Sequence, residues 1–284
     1  MLYLADETIE KFLNEDIPYL DLTTWIMEIG HYQGCIRFCS REAGVLCGSE
    51  EAVRICRKLN IQVKHALDSG SRIAPGEMFF EAYGKAEALH MFWKVALNIF
   101  EYCTGVASRV RAMVDKAKRI NPQISVVTTR KNIPGTKELA IKAVMAGGGI
   151  PHRLGLSETV LIFRHHVNFF KDYPEFLSIL PILKTRACEK KILAEAETLE
   201  EAIALCNAGI DGIQFDKVPA AQLKEYVIAL RGIAPDLVIL AAGGIHENNI
   251  EDYAQTGVNA IVTSSVYFGK PADIGVTITK TDTK

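Results

Sequence analysis

The chain has 284 residues, 49% of them hydrophobic and 23% charged, with a formal net charge of −2. That is enough apolar material for one large or two modest cores, and the near-neutral balance excludes the basic excess expected of a nucleic-acid binder. No apolar run approaches a membrane span, and the N-terminal MLYLADETIEKFL carries acids where a secretory signal would be basic, so a cytoplasmic protein is expected.

From the N-terminus, residues 1–85 read as short strands punctuated by Gly34, Gly44, Gly48 and the turn around Pro75-Gly76. The segment GCIRFCSREAGVLCG (34–48) has the look of a hairpin, with Cys35 and Cys39 on one face as small hydrophobes. His31, Cys35, Cys39 and Cys47 match no common zinc spacing. The seven cysteines are an odd number without C-x-x-C pairs, which favours reduced thiols over a disulfide framework. A helix is expected over Ser49–Leu59, with Ser49 as its N-cap. A long helix follows from Lys85 to Arg119, broken near Thr104-Gly105, with an apolar face at Leu89, Phe92, Ala96 and Phe100.

From Asn121 the rhythm changes to strand, loop, helix. Strands are expected at 124–128, 160–163, 192–196, 212–215, 237–241 and 260–263, with a further short one near 149–153. Between them lie helices at 136–145, 173–188, 199–207, 220–231 and 248–255. Apolar strands alternating with amphipathic helices imply a parallel sheet covered by helices, and six or seven such units imply a closed or nearly closed α/β barrel. Barrel sites are built at the C-terminal ends of the strands, which is where Thr129-Arg130-Lys131, Glu195, Asp216, Gly243-Gly244 and Ser264-Ser265 fall. Arg130, Lys131, His152 and Arg153 surround the triplet Gly147-Gly148-Gly149, a concentration of cations and exposed backbone suited to carboxylates or phosphates. Glu195 and Asp216, facing that cluster, suit a magnesium ion held together with substrate phosphates.

These residues carry a family resemblance. TTRKNIPGTKELAIKAVMAGGGIPHRLGLSE resembles the D-T-R-K-T-x-P-G … G-G-G-x-x-H-R-x-G-L segment of quinolinate phosphoribosyltransferase, also called nicotinate-nucleotide pyrophosphorylase (carboxylating). EDIPYLDLTT, LNIFEYCTGVAS, AEAETLEEAIALCNAGIDGIQFD and AAGGIHENNIEDYAQTGVNAI continue the likeness along nearly the whole chain. The L-I-F-x-x-H segment, Lys94 and the ending TSSVYFGKPADI are similar to a branch associated with molybdate-transport loci.

The resemblance implies an N-terminal α/β sandwich domain (1–103, joined by a C-terminal strand within 272–284) and an incomplete (β/α) barrel of the type II phosphoribosyltransferase kind (104–271). It implies a homodimer or higher homo-oligomer with shared active sites that takes small anionic substrates, while the composition points to neither a membrane nor a nucleic-acid partner. Phosphoribosyl pyrophosphate would be the co-substrate and Mg2+ the metal. Carried over by position, Arg130, His152 and Arg153 would hold acceptor carboxylates, and Lys131 would sit by the substrate and the phosphates. Glu195 and Asp216 would serve ribose and Mg2+, directly or indirectly. Gly243, Gly244 and Ser264 would serve the phosphate cradle, and Lys94 would reach across a dimer. Where the family has L-I-K-D-N-H this chain has LIFRHH, so Phe163 stands for a lysine; Thr128, Ala242, Ser264 and Lys94 also depart from the pattern. A binding protein for anionic metabolites on the same fold is the alternative.

Overall fold

The structure, a computed structural model, describes residues 2–281. The chain divides into two compact units: residues up to 111 with 133–148 and the segment from 269 onward, and residues 112–132 with 149–268.

The first unit opens with α1 (Asp6–Asp16) and α2 (Leu22–Ile26), the latter capped by the Asp21 carboxylate, which accepts from the N–H groups of Thr23 and Thr24. There follow β1 (Gln33–Ser40), β2 (Gly44–Val45), α3 (Ser49–Lys58), β3 (Gln62–Ala66), β4 (Arg72–Ile73), β5 (Met78–Lys85) and α4 (Ala86–Ile120). The expected hairpin at 34–48 does not form. β1 lies antiparallel between β5 and the C-terminal strand β13 (Ile274–Lys280), in register Gly34↔Lys280, while β2 pairs with β4 in a separate small sheet. Alternation fixed which residues of β1 face inward but carried no information about its distant partners. Phe38 of β1 and Phe79 and Phe80 of β5 meet Phe92 and Phe100 of α4 in an aromatic core with centroids 5.1–6.4 Å apart.

α4 runs unbroken through Thr104-Gly105. Gly105 is not a break; a Cβ there would lie 3.1–3.2 Å from the backbone of Lys270, Pro271 and Ala272, so it is where the returning chain crosses the helix. The N-cap of α3 is Gly48 (φ +112°) rather than Ser49, because a Cβ at position 48 would approach the Ile99 side chain to 2.8 Å. Ser49 is buried as the first helical residue, its hydroxyl without a partner among the described residues.

The helix α5 (Lys137–Ala146) belongs to the same unit and buries Lys142, whose Nζ donates to Glu50 Oε2 at 2.6 Å and to Glu51. Burial alone would raise the Glu50 pKa, but hydrogen bonds from Lys142 and Ser69 outweigh it and bring the carboxyl down to about 2. α5 stops at Gly147, where a Cβ would stand 2.5 Å from the Ala107 carbonyl oxygen. The glycine triplet therefore begins as a helix stop pressed against α4, not as a ligand cradle.

The second unit holds β6 (Ser125–Thr128), β7 (Ile150–Pro151), β8 (Val160–Ile162), α6 (Arg164–Val167), α7 (Tyr173–Ser178), α8 (Leu180–Arg186), β9 (Ile192–Ala196), α9 (Leu199–Asn207), β10 (Gly212–Asp216), α10 (Ala220–Ile233), β11 (Val238–Ala242), α11 (Ile250–Ala254) and β12 (Ala260–Thr263). The one helix expected over 173–188 is two, because Pro181 in the first turn of α8 cannot continue the ladder of α7. The seven strands are all parallel, in the order β7-β6-β12-β11-β10-β9-β8. The edge strands β7 and β8 do not pair, so the barrel is incomplete rather than closed. Its inner face is filled by Leu161, Leu193, Leu240, Ala242, Ala260 and Val262, with Phe163 packed on top.

Candidate active site

Alternation along each strand sends every second residue inward, and the last inward positions and the following loops form the rim. There a cavity of about 430 Å³ is lined from all seven strands. Thr129, Arg130 and Lys131 follow β6; His152 and Arg153 follow β7; Phe163 follows β8; Glu195 and Asp216 come from β9 and β10; Gly243, Gly244, Ser264 and Ser265 follow β11 and β12. All these residues lie in the second unit. Of the residues singled out from the sequence, Lys94 and the triplet Gly147-Gly148-Gly149 are absent from the lining. Lys94 sits on α4 in the first unit with its Nζ 4.1 Å from the Trp93 ring centroid.

The site is electrically divided. Neither Arg130 nor Arg153 is ion-paired among the described residues. Burial and then the charge of Arg130 lower the Arg153 pKa, while Glu195 opposes that shift. Burial, reinforced by Arg153, lowers the His152 pKa, so this imidazole is neutral at pH 7 and offers a hydrogen bond rather than a charge. Across the cavity burial raises the Glu195 pKa; the hydrogen bond from Gln214 opposes this, and the nearby Asp216 adds to it.

Local backbone geometry places these groups. After Asp216 the chain turns through Lys217 at φ +60°, whose N–H donates to the Ala242 carbonyl at 2.8 Å. Gly243 (φ +87°) passes so near that a Cβ would lie 2.6 Å from Asp216 Oδ1 and from Lys217 N. With Gly244 at φ +71°, the turn presents backbone instead of side chain to the cavity. Thr128, buried under the rim, accepts a hydrogen bond from the Tyr267 hydroxyl at 2.9 Å.

Gln214 escaped sequence inspection. It faces inward on β10 between Gly212 and Asp216, is 5% exposed, and its Nε2 donates to Glu195 Oε1 at 2.9 Å. Its Oε1 is buried without a partner among the described residues. The available signal was a polar residue at an inward position of an otherwise apolar strand. An orphaned buried carbonyl costs about 1–3 kcal/mol. Gln214→Leu is therefore expected to raise the melting temperature while weakening any ligand that contacts Glu195. Thermal unfolding with and without phosphoribosyl pyrophosphate and Mg2+ measures both; a lower melting temperature with unchanged ligand stabilisation would reduce Gln214 to a packing residue.

Family models for the quinolinate phosphoribosyl transferase N-terminal domain match residues 21–104, and those for its C-terminal domain match residues 106–277. The chain belongs to the quinolinate phosphoribosyltransferase family. Within it, the chain is 37% identical over 280 residues to a Pasteurella multocida protein named as the pyrophosphorylase ModD, covering 99% of each; that name proposes an activity without establishing it. It is 26% identical over 264 residues to human nicotinate-nucleotide pyrophosphorylase [carboxylating], covering 93% of this chain and 88% of the human one. The fold superposes on NadC from Streptococcus pyogenes with a TM-score of 0.88 at 25% identity, covering 99% of this chain and 100% of the other. Family membership supports phosphoribosyl transfer in general, and the cavity described above brings the cations and carboxylates named here together.

Proposed function

We propose that the chain transfers phosphoribose from phosphoribosyl pyrophosphate to an aromatic carboxylate, releasing pyrophosphate. The observation that carries this reading is one cavity lined by Arg130, Arg153 and Lys131, none ion-paired among the described residues, and by the carboxylates Glu195 and Asp216, the latter 3.9 Å from Lys217 Nζ. The transition state of such a transfer also carries both signs: positive charge grows on the ribose as negative charge grows on the leaving group.

A ring nitrogen of the acceptor attacks C1 of the ribose while the C1–O bond to pyrophosphate breaks. On this reading Glu195 and Asp216 accept from ribose hydroxyls and offset the oxocarbenium charge. Lys131 takes the phosphates, and the Gly243-Gly244 turn with Ser264 cradles the 5′-phosphate. Arg130, Arg153 and the neutral His152 hold the acceptor carboxyl. Side-by-side carboxylates of this kind fit Mg2+, which binds through one or two protein oxygens with phosphate and water completing its shell. Bound there, Mg2+ supplies charge neutralisation for the departing pyrophosphate.

The homodimer belongs to the same proposal. On the first unit Tyr19, Leu22, Trp25 and Ile26 expose 91%, 58%, 69% and 65% of their surfaces, an apolar face suited to a second copy that brings Lys94 to its neighbour's site. Sedimentation of the purified chain as a dimer is the expected result; a monomer would remove Lys94 from the mechanism.

The decisive experiment is pyrophosphate release from purified protein given phosphoribosyl pyrophosphate, Mg2+ and a panel of aromatic acids. Release is expected with at least one acid. Stabilisation by phosphoribosyl pyrophosphate without release across the panel would favour a binding role.

A further inference from the structure

Phe163 and Arg153 occupy the two sides of the gap in the barrel. Arg153 follows β7 and Phe163 follows β8, the edge strands that share no hydrogen bonds. Across that gap the guanidinium carbon stands 5.5 Å from the Phe163 ring centroid. His166 stacks on the same ring at 5.8 Å with the planes 25° apart, and its Nδ1 accepts the Phe163 N–H at 2.9 Å. A guanidinium lying on an aromatic face keeps its N–H edge for a carboxylate.

We propose that Phe163 determines the acceptor class: a planar aromatic acid with one carboxylate, gripped by Arg153 and Arg130, its ring over the apolar floor. The inference rests on the phosphoribosyl reading above. Arg130 and Arg153 repel one another, and a single carboxylate, with about four lone-pair sites, can satisfy both. A second carboxylate placed against β8 gains no cation from position 163. The ring of Phe163 stands there, Leu161, Ala242 and Val262 form the floor, and His152 is neutral. Desolvating an unpaired carboxylate against such a surface is strongly unfavourable. In the transfer, the nitrogen–C1 bond forms, pyrophosphate leaves with the C1–O electron pair, and the carboxyl stays on the product, so no carbon dioxide is released.

The test is calorimetric titration of the full chain, with phosphoribosyl pyrophosphate and Mg2+ present, using pyridine-3-carboxylate and benzoate against pyridine-2,3-dicarboxylate and phthalate. The monocarboxylates are expected to bind at least tenfold tighter. Phe163→Lys is expected to invert that order, Phe163→Tyr to preserve it, and Phe163→Leu to weaken the monocarboxylates by loosening Arg153. Thermal unfolding checks that each variant is folded, and Phe163→Tyr and Phe163→Leu carry the test if the lysine variant is not. Equal or tighter dicarboxylate binding by the wild-type chain overturns the inference, as does a ratio indifferent to all three variants. Binding of neither class, with thermal stabilisation by phosphoribosyl pyrophosphate intact, overturns it while leaving the phosphoribosyl reading in place; loss of that stabilisation too removes both.

Discussion

Lys142→Met is expected to destabilise the protein by about 3–5 kcal/mol at pH 7, the usual cost of leaving buried charges without their partner. Lys142 is 5% exposed and stands between Glu50 and Glu51; methionine, one atom shorter, keeps most of its apolar stem and removes its charge. For a chain of this size the melting temperature should fall by roughly 10 °C. The pH dependence has a definite sign. In the wild type the Glu50 carboxyl is held to about 2, below its ordinary 4.5, so its contribution is present above about pH 4.5 and is lost as pH falls toward 2. In the variant the carboxylate at position 50 has lost its cation, its pKa rises, and protonation relieves the strain. The gap between the two proteins should therefore be widest near neutrality and narrow below about pH 5. Urea unfolding at pH 7 and pH 4.5 checks this; a gap that does not change between them means that the triad contributes packing and not charge. Adding Glu50→Gln and Glu51→Gln to Lys142→Met should recover much of the loss.

Arg130→Ala is expected to weaken aromatic carboxylate binding roughly ten- to hundredfold, since a hydrogen bond to a charged group is worth about 1.5–3 kcal/mol. Folding should be spared. Arg130 is exposed and makes no ion pair among the described residues, so truncation removes no buried contact and reduces repulsion on Arg153. Calorimetric titration together with a melting curve separates the two quantities. Unchanged affinity would take Arg130 out of the site, and a collapsed melting curve would mean that the loop after β6 depends on it.

The barrel was legible because its information is local. Each apolar strand is followed at once by its rim residues, so reading strand ends from 121 onward also read out Arg130, Glu195, Asp216, Gly243 and Ser264. The first unit was harder because its information is not local. β1 takes its partners from residues 78–85 and 274–280, and nothing in 34–48 encodes that choice against a hairpin. Gly147 was legible as a special backbone position but not as which kind, because a ligand cradle and a close helix crossing demand the same residue. Gln214 hid inside the apolar string GIQFD, where only the parity of its position distinguishes the inner face from the outer.

The gap between β7 and β8 has a consequence for how such a protein changes its diet over time. Between paired strands the spacing is set by the ladder at about 4.8 Å, and a substitution that demands more room must break backbone hydrogen bonds. Arg153 and Phe163 are under no such ruler; β7 and β8 are joined by the loop 152–159, and across the gap a guanidinium meets a ring without any ladder between the strands. The shape of the cavity can change there by one or two side-chain replacements, while Glu195, Asp216, Gly243 and Ser264, at the ends of paired strands, keep their mutual distances. The break in the wall is the place where new chemistry can enter without rebuilding the old.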